Sequence, residues 1–286
     1  MSAIFKAGNT AVITGGASGI GLALAKKCAG YGMKVIVADL DPKTLAAVPG
    51  SVASTIEMDV GKAEDWVGLK SRVEKDFGGK LSLLSLNAGI SRPTSLLDPS
   101  TLPSFHSILT TNLFGIINGL SSLLPLIQST ASASQPSSII ITGSKQGITN
   151  PPGNPAYNAS KAAVKSIAEH LSFDLREKPE IGVHFLVPGW TWTGLAGGVA
   201  GAGKDTVGGT KKPDAAWWPE EVVDYLEKKM EEGKFYVLCP DNEVTEEMDK
   251  KRMLWNAGDA VEGRKPLSRW RDEYKGEVAE WMATEL

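Results

Sequence analysis

Three side chains, Ser144, Tyr157 and Lys161, and one glycine-rich stretch, TGGASGIG from Thr14 to Gly21, have types and spacing that can do chemistry. In YNASK, Tyr157 and Lys161 stand at i and i+4, so on a helix they share a face and the ammonium reaches toward the phenol. A free phenol titrates near ~10, poorly matched to proton transfer at neutral pH, and a neighbouring lysine cation favours the phenolate. The spacing alone is common. YLEKK repeats it at Tyr225 and Lys229, where a solvated helix face accounts for it. What separates the two pairs lies thirteen residues upstream: Ser144 closes the apolar run SSIIITGS, whereas the same offset from Tyr225 reaches Lys212 in a polar segment. Only the first pair has a hydroxyl delivered to the carboxyl end of a strand, where open α/β sheets bind ligands.

The glycine-rich stretch places four glycines in eight residues between the apolar run Thr10 to Ile13 and a helical pattern over Ile20 to Tyr31. Glycine weakens strand and helix alike, so this turn does more than reverse the chain. A strand, a glycine turn and a helix amino terminus together present free backbone N–H groups and the positive end of a helix dipole to a pyrophosphate. Gly15, Gly19 and Gly21 permit the tight turn, the close approach of phosphate and the contact of helix with strand. Asp39 ends KVIVAD, 18 residues after Gly21, where an acid accepts hydrogen bonds from the ribose hydroxyls of NAD. A 2′-phosphate would meet that carboxylate, and neither Gly16 nor Leu40 offers a basic side chain, so NAD(H) is expected over NADP(H).

These groups need a frame, and the chain alternates strand-like with helix-like segments in the pattern of a parallel sheet covered on both faces. Seven strands are expected: Thr10 to Thr14, Lys34 to Asp39, Ser54 to Met58, Leu81 to Leu86, Ser138 to Thr142, Val183 to Val187 and Lys234 to Cys239. The main helices are expected over Ile20 to Tyr31, Lys62 to Phe77, Leu102 to Gln128, Ala156 to Glu177 and Pro219 to Glu232, with Pro125 ending or kinking the third. Gly194 to Thr210 holds seven glycines and no apolar period, which reads as a mobile loop. Residues 1–241 are expected to form the dinucleotide-binding and catalytic domain, with a substrate lid over 194–218, and residues 242–286 a helical extension.

Composition excludes several classes. The 286 residues carry 30 Lys plus Arg against 33 Asp plus Glu, net charge −3, with no basic block to neutralise a run of phosphates, so nucleic acid is not expected as a partner. Cys28 and Cys239 both lie in apolar runs, as buried thiols of a reducing compartment do. His106, His170 and His184 form no metal-ligand pairing, so no metal is expected. No charged-then-apolar leader opens the chain, and the apolar stretch Leu113 to Ile127 is judged too short and too polar to span a bilayer, so a cytoplasmic location with no membrane contact is expected.

The chain resembles the short-chain dehydrogenase/reductase family over roughly residues 8 to 240. TGGASGIG looks like that family's cofactor turn, here with Ser18 and Ile20; Asp59 and Val60 look like its adenine-side pair, and Asn87, Ala88 and Gly89 like its fourth-strand signature. TNLFG resembles the segment bearing the catalytic asparagine, here Asn112, and Ser144, Tyr157 and Lys161 complete the tetrad. PGWTWT resembles the turn beside the nicotinamide, with Pro188, Gly189, Thr191 and Thr193 as its cofactor contacts. The resemblance implies a Rossmann-like, doubly wound α/β fold and hydride transfer between NAD and a carbinol carbon, with Tyr157 as general acid/base. It also implies that Lys161 binds the nicotinamide ribose, that Ser144 hydrogen-bonds the substrate oxygen and that Asn112 holds a water in a proton relay. Leu86 departs from the family, where many members carry a structural asparagine, and so does the tail beyond Cys239.

By the same resemblance the substrate would lie among Ile90, Ser91, Lys145, Gln146, the bend Asn150 to Pro155, Trp190 and Trp192, which suits a neutral, moderately bulky alcohol or ketone, cyclic or aromatic. Family members commonly pair through the helix that carries Tyr157 and Lys161, so a homodimer or homotetramer is expected. Trp255, Trp270 and Trp281 then anchor a tail packed across or beside that assembly, its alternative being a tail packed within its own subunit. Two other functions compete. One is a dinucleotide-binding redox sensor without turnover, against which the intact tetrad speaks. The other is an NAD-dependent epimerase or dehydratase, whose TGxxGxxG turn and larger carboxyl-terminal domain differ from the TGxxxGxG and helical tail here.

Overall fold

The computed structural model describes residues 3–196, 206–207 and 210–285. Of the expected lid, residues 197–205 and 208–209 lie outside the described residues. The elements run β1 (Thr10–Thr14), α1 (Gly19–Gly30), β2 (Lys34–Asp39), α2 (Pro42–Ala46), β3 (Ser54–Glu57), α3 (Ala63–Phe77) and β4 (Leu83–Leu86). There follow α4 (Leu102–Leu109), a π-helical turn (Thr110–Phe114), α5 (Gly115–Thr130), β5 (Ser137–Thr142), α6 (Lys145–Thr149), α7 (Pro155–Asp174) and β6 (Ile181–Val187). A two-residue hairpin, β7 (Thr206–Val207) and β8 (Thr210–Lys211), precedes α8 (Pro219–Glu231), β9 (Tyr236–Leu238), α9 (Glu246–Val261) and α10 (Lys275–Ala283).

Among the described residues seven strands form one parallel sheet in the order β3-β2-β1-β4-β5-β6-β9. The order reverses between β1 and β4, and ligands of such sheets bind at the carboxyl ends beside that reversal. Strand alternation sorts the core into two layers. Val12, Ile36, Leu84, Leu86, Ile139 and Ile141 face Trp66, Leu69, Leu123 and Val164 of α3, α5 and α7. Ala11, Ile13, Val35, Val37, Leu83 and Ile140 face Leu24, Cys28, Val222 and Leu226 of α1 and α8. With both faces covered, the strands need no polar side, which is why they read as near-continuous apolar runs.

The third helix is longer than the sequence suggested. Pro99–Thr130 is helical throughout, 32 residues containing an 18-residue window of mean hydropathy 1.3, enough by length and composition alone to cross a membrane, so the judgement from Leu113 to Ile127 that it is too short is corrected. In this fold its buried side chains, Ile108, Ile116, Leu123 and Ile127, lie against protein. Pro125 sits inside α5 and does not end it.

The tail packs on its own chain. The indoles of Trp255 and Trp281 lie 6.2 Å apart, Trp255 Nε1 donates to Ser268 Oγ at 2.7 Å, and Asn256 Nδ2 donates to the Thr149 carbonyl of α6 at 2.6 Å. Trp270 is less committed and stays 44% exposed.

Candidate active site

The turn after β1 is built from close backbone approach. Gly15 has φ +60°, and a Cβ there would lie 2.8 Å from Ala88 Cα; a Cβ on Gly21 would lie 2.2 Å from the Gly15 carbonyl oxygen. No larger residue fits either position, which answers why the sequence accepts glycine's conformational cost here. Asn87 clasps the base of the turn. Its Nδ2 donates to the carbonyls of Thr14 and Gly15 at 3.2 and 3.3 Å, and its Oδ1 accepts from Thr142 Oγ1 at 3.1 Å. The backbone N–H groups of Asn87 and Ala88 both donate to Thr14 Oγ1. This ties β1, β4 and β5 together at their carboxyl ends.

Asp39 stands at the end of β2 beside that turn, its Oδ2 accepting from Ala17 N at 3.0 Å and its Oδ1 from Leu40 N at 2.8 Å. A carboxylate takes about four hydrogen bonds, so capacity for a ribose is left. Asp59 Oδ1 accepts from Gly61 N at 2.9 Å, and the Val60 carbonyl accepts from Trp66 Nε1 and Asn118 Nδ2 at 2.9 and 3.1 Å. On the far side, the Thr193 methyl lies against Gly19, where an added Cβ would be 3.1 Å from it. The PGWTWT turn thus reaches the glycine turn.

The tetrad residues meet at the carboxyl end of β5. Ser144 is the N-cap of α6 and accepts from Gln146 N at 3.2 Å. Tyr157 lies in the first turn of α7, whose N-cap Asn154 accepts from Tyr157 N at 3.4 Å and from Thr94 Oγ1 at 2.8 Å. Tyr157 is buried, which raises its phenol above the ordinary value, and a hydrogen bond with Ser144 pulls it back down. Lys161, one turn on, is buried as well, and burial lowers its ammonium to about 8. Its Nζ donates to the Thr142 carbonyl at 2.8 Å and lies 5.9 Å from the Tyr157 ring centre.

Asn112 occupies the π-helical turn, an irregularity that occurs often at functional sites. Its Oδ1 accepts from Ile90 N at 2.8 Å, and its Nδ2 donates to the Ile90 carbonyl and Ser160 Oγ at 3.0 and 3.1 Å. The amide that the resemblance assigns to a proton relay is therefore committed to bracing the segment after Gly89. A Cβ on Gly89 would stand 3.4 Å from Asn112 Oδ1 and 3.6 Å from Lys161 Nζ, so bare backbone separates these two residues.

The short chain dehydrogenase family profile matches residues 9–201, the span that holds every group just described up to the PGWTWT turn. The chain belongs to the short-chain dehydrogenase family. Relatives include 2,5-dichloro-2,5-cyclohexadiene-1,4-diol dehydrogenase LinX of Sphingobium indicum, 32% identical over 64% of this chain and 73% of that protein. The NADP-dependent (R)-specific alcohol dehydrogenase of Lentilactobacillus kefiri is 31% identical over 73% of this chain and 87% of that one. Among solved structures, a short chain dehydrogenase/reductase from Burkholderia phymatum in complex with NAD covers 92% of this chain and 97% of its own, with TM-score 0.77 and 26% identity.

Within this short-chain dehydrogenase several side chains sit elsewhere than the resemblance implied. Lys145, which the resemblance sets among the substrate positions, pairs through Nζ with Asp241 at 3.1 Å and Asp249 at 2.9 Å. Trp192 is buried with Ala216 and Trp218, its indole N–H without a hydrogen-bond partner among the described residues, while Trp190 is 46% exposed. Ser91 Oγ accepts from Asn154 Nδ2 at 3.1 Å and so supports the start of α7. The backbones of Trp190 and Trp192 pair with Trp217, at 2.8 Å each, which brings the chain before residue 194 and the chain before α8 together. Leu40, next to Asp39, is 62% exposed.

The second Tyr–Lys pair is not on a solvated face. Tyr225 Oη donates to Glu246 Oε2 at 2.7 Å and its ring meets Trp217 edge-on at 5.9 Å; burial and that carboxylate raise its phenol. Lys229 pairs with Glu232 and Glu246. Sequence reasoning also missed a cavity of about 550 Å³ beside Asp59, walled by Leu102, His106, Thr110 and Thr111 of α4 and the π-helical turn.

Proposed function

We propose that this oxidoreductase transfers a hydride between NAD(H) and a small secondary alcohol or ketone, with Tyr157 moving the accompanying proton. The observation that carries the reading is the Ser144–Tyr157–Lys161 cluster at the end of β5, with Tyr157 and Lys161 buried, on the same carboxyl edge of the sheet as the glycine turn and Asp39 beside the β1–β4 reversal. The glycine cradle, closed to any Cβ at Gly15 and Gly21, fits a pyrophosphate, and Asp39 fits a ribose diol. Gly15, Ser18, Gly19 and Ile20 would hold the phosphates, Asp39 and Leu40 the adenosine ribose, and Asp59 and Val60 the adenine. Ala88, Gly89 and the Pro188, Gly189, Thr191 and Thr193 turn would hold the nicotinamide half, with Asn87 acting from beneath. A bound nicotinamide supplies the hydride acceptor or donor.

The protein's own part is proton placement. Burial lifts the Tyr157 phenol, so its ionised form needs help, which the Ser144 hydrogen bond provides and to which a Lys161 ammonium 5.9 Å from the ring centre would add. In oxidation Tyr157 takes the carbinol proton, and in reduction it returns one to the carbonyl oxygen held by Ser144. Asp39 supports NAD because a 2′-phosphate placed there would meet a carboxylate already bound to Ala17 N and Leu40 N. Phe173 on α7 is 63% exposed, an apolar contact consistent with self-association through that helix as a dimer or tetramer. The test is NADH formation measured by absorbance across a panel of cyclic and aromatic secondary alcohols. Turnover of at least one member supports the proposal, and NAD binding with none turned over favours the redox-sensor reading.

A further inference from the structure

α6, which begins immediately after Ser144, is held at both ends by α9, the first helix of the carboxyl-terminal extension. At its start, Lys145 Nζ lies 2.9 Å from Asp249 Oδ2 and 3.1 Å from Asp241 Oδ2. At its end, the Thr149 carbonyl accepts from Asn256 Nδ2 at 2.6 Å. Asp249 is completely buried in the first turn of α9, and Arg252 Nη1 reaches its other oxygen at 3.2 Å. Arg269, from the 3₁₀ turn beyond α9, joins the same cluster; burial and the neighbouring Arg252 draw its guanidinium down to about 10, with Asp249 opposing.

The cluster reaches a second segment. Asp241 Oδ2, which holds Lys145, also accepts from Trp190 N at 3.3 Å. Gly189 is pressed against the pair, since a Cβ there would lie 2.9 Å from both Lys145 Nζ and Asp241 Oδ2. Two stretches of chain that carry site residues, Ser144–Gln146 and Gly189–Thr193, therefore meet at the Lys145 side chain and the carboxylates around it. An apolar contact of the same volume would hold a tail to its domain at least as well, so stability alone does not call for buried charge here. The Lys145–Asp241 contact is a charge-assisted hydrogen bond, which fixes direction as well as distance, and the buried Asp249 carboxylate adds an ion pair to the same ammonium.

We propose that α9 is a positioning element of the catalytic centre: Asp249 and Asp241 hold Lys145, and thereby set the Ser144 hydroxyl and the Gly189–Trp190 turn in one fixed relation. The proposal rests on the assignment of Ser144 and Tyr157 to the reaction. It makes Lys145 a residue that acts through its neighbour and does not touch substrate. It also gives the extension beyond β9 a part in turnover.

The experiment uses the full-length protein with Asp249→Asn, and with Asn256→Ala as the milder variant should the first fail to fold. Amide hydrogen exchange is followed over α6 and residues 189–193, alongside kcat and the NADH dissociation constant. Loss of the anchor is expected to speed exchange in both segments, to leave β1, β4 and β5 unchanged, and to lower kcat about tenfold with NADH affinity held within about twofold, less than the roughly 100-fold that a full 1 Å misplacement can cost. A lowered melting temperature with unchanged exchange in both segments and unchanged kcat would overturn it. Should the wild type turn over no alcohol, the functional reading fails while the exchange measurement still decides this one.

Discussion

Ser144→Ala separates two tasks of one hydroxyl. As N-cap it accepts from Gln146 N at 3.2 Å, and as partner of Tyr157 it draws down a phenol that burial has raised. Loss of the cap costs about 1 kcal/mol, which lowers the melting temperature of a chain this size by about 2–4 °C. Loss of a hydrogen bond to the ionised phenol costs about 1.5–3 kcal/mol, so the titration of Tyr157 moves up by about 1–2 pH units. The sign follows from the direction of catalysis. Alcohol oxidation needs the phenolate, so kcat rises with pH through the Tyr157 titration, and removing a bond that favours the phenolate shifts that rise to higher pH. The assay is a pH–rate profile for alcohol oxidation at saturating NAD, compared between wild type and variant, with Ser144→Thr expected to keep the wild-type midpoint. A variant that loses rate uniformly at every pH, its midpoint unmoved, would refute the pairing of Ser144 with Tyr157.

Lys161 offers a test by stability. Its folded titration lies at about 8 against 10.5 for the free side chain, so between those values the unfolded chain binds more protons and stability rises with pH. The stabilising contribution is complete above about 10.5 and is lost as pH falls through 8, a difference of about 3 kcal/mol in all. Lys161→Met lacks that dependence, and melting curves from pH 7 to 10.5 should show wild type gaining on the variant throughout the window; parallel curves would show that the ammonium is not buried. Asp39→Ala should narrow an NADH preference over NADPH of about tenfold, equivalent to about 1.4 kcal/mol, in titration calorimetry. Equal affinities in the wild type would remove Asp39 from the site. Tyr225→Phe should cost about 1 kcal/mol in denaturant unfolding through the lost bond to Glu246 while leaving turnover unchanged.

The seven strands were legible because a parallel sheet covered on both faces turns each strand into an apolar run, and the ends of those runs placed Asp39, Asn87 and Ser144 at one edge before any coordinates. Boundaries shifted by up to two residues where pairing decides them: β4 begins at Leu83 and β6 at Ile181. α6 was missed because five residues, KQGIT, carry no apolar period; what forms it is a serine cap at one end and Asn256 at the other. The π-helical turn is equally silent, since TTNLF has ordinary helical composition. Lys145 was read as a pocket wall because its partner Asp241 lies 96 residues on, and no local pattern announces a pairing at that distance. Tyr225 was misread for the same reason, its partners Trp217 and Glu246 being supplied by segments outside its own helix.

The central claim is that Tyr157 moves the proton, and Tyr157→Phe tests it most directly because the ring, its burial and the Lys161 anchor on Thr142 all persist while the hydroxyl is lost. Turnover of the best alcohol from the panel and the dissociation constant for NADH are measured on the same preparation. The account predicts a fall in kcat of at least about 100-fold, the scale of a lost general acid/base, with NADH affinity within about twofold of wild type. A variant that keeps more than half of the wild-type kcat would contradict it.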